Sequence, residues 1–365
     1  MKNLVIYLAT ISVVLLFGGC SFKTMATIDK VDNEFVDFAG IEQIYASDED
    51  VVIYYTHGMG TPRSDDKETM QFFDAVAKEA GFPHAMEVNT YTHFANFGDM
   101  TVKVYGDENN IRKMYLFSLG WGKHLDFIEM SLQYRGRPFS EFNTKTNNKI
   151  NNFVDMGLAD AVLYLSPEMG ERIYETLNEE IEYSYKKFDV ANKDKILIST
   201  SLGSKVVFDM LKRKEGKASI DDFVETLQQV FMTSNQIPLL DLYSQVKDNT
   251  HMTRDAAHRV SPTLSSMAEV YRNKSLVKPI PVIAFSDPAD ALSYYNCNTI
   301  SDTFSFVNVT ITHAKWRYFF FIANPLEAHG GFKSGDVGYQ AIVHGSEVFE
   351  FEDYDDPLRC QNNPN

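Results

Sequence analysis

Short apolar segments rich in β-branched and aromatic residues recur along the chain and alternate with longer amphipathic segments. Segments of the first kind are typical of buried β-strands, and those of the second kind are typical of helices. Strands are predicted at Val51–Thr56, Met114–Leu119, Ile196–Thr200, Val230–Thr233, Val282–Phe285 and Phe306–Ile311. Helices are predicted at Asp66–Ala80, Asp160–Lys187, Leu202–Lys214 and Leu239–Val246. This alternation favours an α/β fold, a mostly parallel sheet with helices on both faces.

One long interval, residues 122–156, carries no clear strand signal, and its centre, Asn143–Asn152, is too polar for a core. Loops of this length in compact domains are often functional. We therefore predict an inserted segment, which is either a surface loop or part of a lid over a pocket.

The amino-acid composition and net charge exclude some classes of protein. The chain has 365 residues, of which 44% are hydrophobic and 13% aromatic, enough to build a large core and to exclude wholesale disorder. Its formal net charge is -16. A field of this sign repels phosphate backbones, so we expect no nucleic-acid partner.

The N-terminus is typical of an export signal. Lys2 precedes an apolar run, Leu4–Phe17, which ends in Gly18-Gly19-Cys20. This end resembles the lipobox of bacterial lipoproteins, which implies that residues 1–19 are removed and that Cys20 is lipidated and anchors the protein in the membrane. Ser21 after the cysteine suggests the outer membrane. The alternatives are a plain secretory signal and an uncleaved anchor.

Two further cysteines, Cys297 and Cys360, remain once Cys20 is modified. In an oxidising envelope compartment they permit one disulfide, and the alternative is a pair of free buried thiols. The predicted organisation is a signal peptide over 1–19, a tether over 20–46, one catalytic domain over 47–352 and a tail over 353–365.

The segment Lys195–Phe208 holds the strongest chemical signal, a strand followed by Ser199-x-Ser201-x-Gly203 and then by a helix. A turn this sharp requires small residues two positions before and after its centre, and the helix N-terminus directs N–H groups and a positive dipole end toward it. The segment resembles the nucleophile elbow of the α/β-hydrolase superfamily, with Ser199 in place of the usual first glycine. The resemblance implies that Ser201 is the nucleophile and that the Leu202 amide is an oxyanion donor.

A second motif, His57-Gly58-Met59-Gly60, follows the first predicted strand. It is similar to the His-Gly oxyanion loop of the same superfamily, which implies a second donor from the Met59 amide, or from Gly58 or Gly60 if the loop is rotated. His57 itself is expected to be structural. The alternative is a flexible turn without a catalytic role.

The chain contains nine histidines, and the superfamily order of serine, acid and then histidine leaves His313, His329 and His344 as candidate bases. His329 is favoured because it lies in a turn-rich stretch after the last predicted strand. His313 remains the alternative, whereas His344 comes too late.

The acid is expected after the strand Val282–Phe285, where two carboxylates are available. Asp290 is favoured because of its offset from the strand end. Asp287 is the alternative acid, or else it caps a helix that begins at Pro288.

Taken together, these resemblances imply an envelope-anchored serine hydrolase that acts on a carboxylic ester or related acyl bond through a Ser-His-Asp triad. They imply an acyl-ester substrate and no cofactor. The sequence has no motif typical of a zinc or calcium site, so we expect no metal. The alternatives are an inactive protein of the same fold used for binding or assembly, and an acyltransferase with the same triad. Protein partners and substrate identity do not follow from the sequence.

Overall fold

In the computed structural model the described residues are 26–28, 30–31, 34–35, 37–46, 48–59, 63–95, 98–122, 159–241, 261–274, 279–290, 292–293, 304–311, 317–318, 322–323 and 325–349. The three cysteines lie outside these ranges, as does the predicted insertion apart from Gly122.

Nine strands of the described residues form one mixed sheet. They are β1 (Ala26–Ile28), β2 (Val51–Thr56), β3 (His84–Phe94), β4 (Gly98–Gly106), β5 (Lys113–Gly120), β6 (Lys195–Thr200), β7 (Leu227–Thr233), β8 (Ile280–Ser286) and β9 (Phe304–Ile311). Their order across the sheet is β1-β9-β8-β7-β6-β2-β5-β4-β3. Neighbours from β9 to β5 pair in parallel, whereas β1, β3 and β4 each pair antiparallel with their neighbours.

The helices of the described residues include α1 (Ile41–Ile44), α2 (Lys67–Glu79), α3 (Ala159–Tyr164), α4 (Pro167–Lys187), α5 (Leu202–Arg213), α6 (Ala218–Glu225), α7 (Pro262–Asn273), α8 (Pro325–Ser334) and α9 (Asp336–His344). A 3-10 turn, Gly345–Val348, follows α9, and two short ribbons pair Lys30–Val31 with Glu34–Phe35 and Arg317–Tyr318 with Ile322–Ala323. Within the described part of the chain, no helix is both long and apolar enough to cross a bilayer.

Local sequence explains where the helices begin. Asp66 caps α2 by accepting a hydrogen bond from the Thr69 N–H at 3.0 Å, as expected for a side chain at this position. The single helix predicted over Asp160–Lys187 is instead two, α3 and α4. Ser166 caps the second and Pro167 begins it, because proline lacks the N–H needed to continue the first.

The alternation of side chains along β2 shows how both faces of the sheet are covered. Val52 and Tyr54 point to a core shared with α3–α7, whereas Ile53 and Tyr55 point to a second core shared with α1, α2, α8 and α9. Because both faces of the sheet are covered, all six residues of β2 are buried. The predicted α/β architecture, a mostly parallel sheet with helices on both faces, is confirmed.

The order of the strands across the sheet reverses at β2, and this reversal indicates where a ligand site is expected. From β2 the chain continues to β3, β4 and β5 on one side, and the later strands β6 to β9 lie on the other side. In open α/β sheets, ligands bind outside the carboxyl ends of the strands at such a reversal. The turns that follow the neighbouring strands β2 and β6 meet at this edge, where Gly58 lies against Ser201.

Candidate active site

Ser201 occupies the sharp turn between β6 and α5, with φ 55° and ψ -127°. A residue other than glycine in such a conformation costs about 1–3 kcal/mol and is usually held there by its surroundings. Here the Ser201 N–H donates a hydrogen bond to the Thr233 carbonyl at 2.8 Å, which ties the turn to the next strand.

The residues two positions before and after Ser201 show why the turn needs small side chains. A Cβ atom added at Gly203 would lie 2.3 Å from the carbonyl oxygen of His57, so only glycine fits there. Ser199 is accommodated in place of glycine because it is buried with its Oγ 3.0 Å from that of Ser204. The departure from the superfamily pattern at Ser199 therefore leaves the geometry of the turn intact.

His329 lies against this turn. Its Nε2 is 3.0 Å from Ser201 Oγ, and its Nδ1 is 2.8 Å from Asp290 Oδ2. An ionised carboxylate only accepts hydrogen bonds, so Nδ1 carries the proton and Nε2 is left to accept the one on Ser201. The sequence predicted a turn-rich loop here, which is wrong: His329 lies within α8, a helix that begins at Pro325.

Of the other two candidate histidines, only His344 is among the described residues, and its ring contacts two glutamates instead of Ser201. His344 lies at the end of α9, with Nδ1 2.8 Å from Glu42 and Nε2 2.9 Å from Glu79. It joins α1, α2 and α9. His313 lies outside the described residues.

Asp290 is held by its own turn as well as by His329. Its N–H donates to the Asp287 carbonyl at 2.9 Å, and its Oδ1 accepts from the Leu292 N–H at 2.9 Å. Asp287 uses its side chain locally, because Oδ1 accepts from the Ala289 N–H at 2.8 Å. These contacts form a turn where the sequence had suggested a helix beginning at Pro288. The Asp290 carboxylate, which the sequence favoured, is hydrogen-bonded to the imidazole of His329.

The His-Gly loop after β2 lies beside Ser201. A Cβ atom added at Gly58 would stand 2.6 Å from Ser201 Cβ and 3.2 Å from Ser201 Oγ, so this close approach requires glycine. Leu202 is buried as the first residue of α5, and its N–H is one of the four amides that a helix leaves unpaired at its start. Gly60 lies outside the described residues.

His57 is a structural residue that orients this loop. Its buried ring stacks on Trp121 with centroids 4.8 Å apart, and its Nε2 accepts from the Trp121 N–H at 3.3 Å. Nδ1 therefore carries the proton and donates to the Gly58 carbonyl at 2.8 Å. Because a trans peptide is planar, the Met59 N–H points opposite to the Gly58 carbonyl and away from His57. His57 thus fixes the direction of the amide that the sequence assigned to the oxyanion site.

Sequence reasoning missed two polar residues, Lys333 and Ser234, that hold the helix containing His329. Lys333 lies one turn after His329, and its Nζ is 3.2 Å from Thr69 Oγ1 and 3.7 Å from Asp66 Oδ2, which attaches α8 to the start of α2. Burial alone would lower the pKa of Lys333, but nearby Tyr55 and Asp66 raise it above its ordinary value. Ser234, at the end of β7, donates to the backbone carbonyl of His329 at 2.6 Å. A helical spacing of four residues would have pointed to Lys333, whereas no sequence signal pointed to Ser234.

The buried His57 should make the protein sensitive to acid. Burial lowers its pKa from 6.5 to about 4. The unfolded chain then binds the proton more readily than the folded one, so protonation of His57 favours unfolding. The contribution of neutral His57 to the free energy of unfolding is fully present above pH 6.5 and is lost as the pH falls toward 4. From pH 8 to pH 5 the loss should be about 2 kcal/mol, and His57→Phe should remove this part of the pH dependence in urea unfolding.

His344 provides a control of opposite sign. Burial alone would lower its pKa, but hydrogen bonds to Glu79 and Glu42 raise it above 6.5. Its contribution is therefore present at low pH and is lost as the pH rises through the folded pKa, so His344→Gln should make unfolding more sensitive to acid. If the free energy of unfolding depended on pH in His57→Phe as it does in wild type, His57 would not be buried in its neutral form.

Comparisons with known proteins give no close relative. No protein-family model matches the chain, and no curated protein matches it. Among solved structures it is similar to dienelactone hydrolase from Anabaena variabilis ATCC 29413, at 8% identity and a TM-score of 0.26, covering 74% of this chain and 71% of that chain. It is also similar to an S-formylglutathione hydrolase from Agrobacterium tumefaciens, at 8% identity and a TM-score of 0.30, covering 79% and 86%. Likenesses at this level carry no conclusion about activity, so function has to be argued from the site itself.

Proposed function

We propose that this chain is a serine hydrolase that cleaves a carboxylic ester or related acyl bond through an acyl-enzyme. One observation carries the proposal: Ser201 Oγ, His329 and Asp290 are joined by hydrogen bonds of 3.0 and 2.8 Å. A nucleophile, a base and an acid that orients the base form the minimal apparatus for acyl transfer through serine.

The proton balance follows from the tautomer. As Ser201 Oγ bonds to the substrate carbonyl carbon, its proton passes to Nε2 of His329, and Asp290 stabilises the imidazolium. When the tetrahedral intermediate collapses, the bond to the leaving oxygen breaks and Nε2 returns the proton to it. Water then attacks the carbonyl carbon of the acyl-enzyme while Nε2 of His329 takes its proton. When this second intermediate collapses, the bond to Ser201 Oγ breaks, Nε2 returns the proton to that oxygen, and the carboxylic acid is released.

Negative charge on the carbonyl oxygen has to be stabilised during both additions. The Leu202 amide, at the positive end of the α5 dipole, and the Met59 amide are proposed as the two donors. The support for Leu202 is its place at the helix start. The support for Met59 is the contact of Gly58 with Ser201 and the orientation of the peptide by His57.

Labelling with a fluorophosphonate tests the proposal on the full chain in detergent. We expect Ser201 Oγ to displace fluoride and form a stable phosphonyl ester, which peptide mass spectrometry locates. Hydrolysis of p-nitrophenyl esters of increasing acyl length would then give the preferred chain length. A folded protein that is neither labelled nor active on any ester would contradict the proposal and favour an inactive binding or assembly protein.

We further propose that the hydrolase is anchored in the bacterial envelope by lipid on Cys20. The support is the sequence alone, an apolar run closed by Gly18-Gly19-Cys20. Mass spectrometry of the mature N-terminus from membranes tests it, because an unmodified Cys20 or an N-terminus at Met1 would contradict it.

A further inference from the structure

Ser234 lies at the carboxyl end of β7, between the strand that ends before Ser201 and the strand that leads to Asp290. It is buried and has φ 53°, a left-handed conformation that favours glycine. Its N–H donates to the Phe285 carbonyl at 3.0 Å, which connects the ends of β7 and β8. A serine at such a position costs more conformational energy than glycine would. We therefore expect its side chain to make a contact that offsets this cost.

The side chain of Ser234 contacts the main chain of the proposed base. Its Oγ donates to the carbonyl oxygen of His329 at 2.6 Å. The imidazole itself is held by Asp290 on one nitrogen and faces Ser201 with the other. Ser234 therefore restrains the backbone from which the ring extends, independently of the two contacts made by the ring.

This restraint matters because the helix is weak just after His329. Gly330 and Gly331 follow directly, and glycine in a helix interior is less favourable than alanine by about 1 kcal/mol. A Cβ atom added at Gly330 would meet nothing within 4 Å, so packing does not require glycine there. The position of the His329 backbone thus depends on contacts made by other elements.

We propose that Ser234 is a positioning residue, whose hydroxyl holds the His329 main chain where Nε2 reaches Ser201 Oγ. The proposal rests on the proposed hydrolase function and adds a residue to it. A displacement of about 1 Å in a catalytic group can reduce turnover about a hundredfold. Loss of this hydroxyl should therefore lower kcat and leave KM almost unchanged.

Two substitutions separate positioning from stability. Ser234→Ala removes the hydroxyl and keeps the strained conformation, whereas Ser234→Gly removes the hydroxyl and relaxes it, so the glycine variant should melt at the higher temperature. We expect both to lower kcat by about tenfold or more, with KM and the pH dependence of kcat/KM unchanged. Ser286→Ala is the matched control, because this hydroxyl at the end of β8 contacts Ser293. A kcat that is retained in either Ser234 variant, or that recovers in the glycine variant along with stability, would overturn the proposal.

A second measurement does not depend on activity. In protein labelled with 15N-histidine, the Nδ1 proton of His329 should exchange with water several-fold faster in both Ser234 variants than in wild type or Ser286→Ala. Equal exchange rates in all four proteins would overturn the positioning role. If wild type were neither labelled nor active, the hydrolase proposal would fail, and the exchange rates would still test Ser234.

Discussion

Ser201→Ala should lower kcat for ester hydrolysis by about 10⁴-fold or more, because no other group supplies the attacking oxygen. The variant should nevertheless fold as wild type does. Alanine retains the Cβ atom, so the conformation at φ 55° and ψ -127° is as strained as before. The measurements are kcat with the preferred p-nitrophenyl ester, fluorophosphonate labelling and thermal unfolding.

Ser201→Gly completes this experiment. Glycine adopts positive φ at little cost, so this inactive variant should be more stable than Ser201→Ala by about 1 kcal/mol. Together the two variants would show that the strained backbone at residue 201 positions the hydroxyl and does not stabilise the protein. Residual activity above about one-tenth of wild type in either variant would contradict Ser201 as the nucleophile.

The central strands could be predicted because they are buried on both faces. All six predicted segments correspond to β2 and β5–β9, the parallel strands, whose apolar runs are nearly continuous. The hairpin of β3 and β4 was missed. β3 is an edge strand with ten of its eleven residues exposed or half-buried, so its sequence carries little of the hydrophobic signal that the prediction used.

The residues of the site could be proposed from motif and chain order, but their contacts could not. Ser201 and His329 are 128 residues apart, and the hydroxyl of Ser234 bonds to a carbonyl 95 residues away. No local pattern encodes a hydrogen bond between side chain and backbone across such a distance. The helical state of His329 was also hidden, because Asn324-Pro325 and Gly330-Gly331 are typical of turns.

Asp290→Asn should lower kcat by about 10⁴-fold without unfolding the protein. The cause is the tautomer of His329. Asp290 Oδ1 accepts from the Leu292 N–H, and Oδ2 accepts from His329 Nδ1. In the variant the amide oxygen should keep the contact with Leu292, which turns the NH₂ group toward Nδ1. That group can only donate, so the imidazole proton moves to Nε2, which then no longer accepts the proton of Ser201.

Asp287→Asn is the matched control, since it makes the same chemical change three residues away. The Asp287 side chain accepts from the Ala289 N–H, a contact that an asparagine oxygen can also make, so kcat should stay within about threefold of wild type. Both variants should be measured with the same ester across pH, with thermal unfolding to correct for the folded fraction. If Asp287→Asn instead caused the larger loss, the acid would be Asp287, and the contact between Asp290 and His329 would not be the one that orients the base.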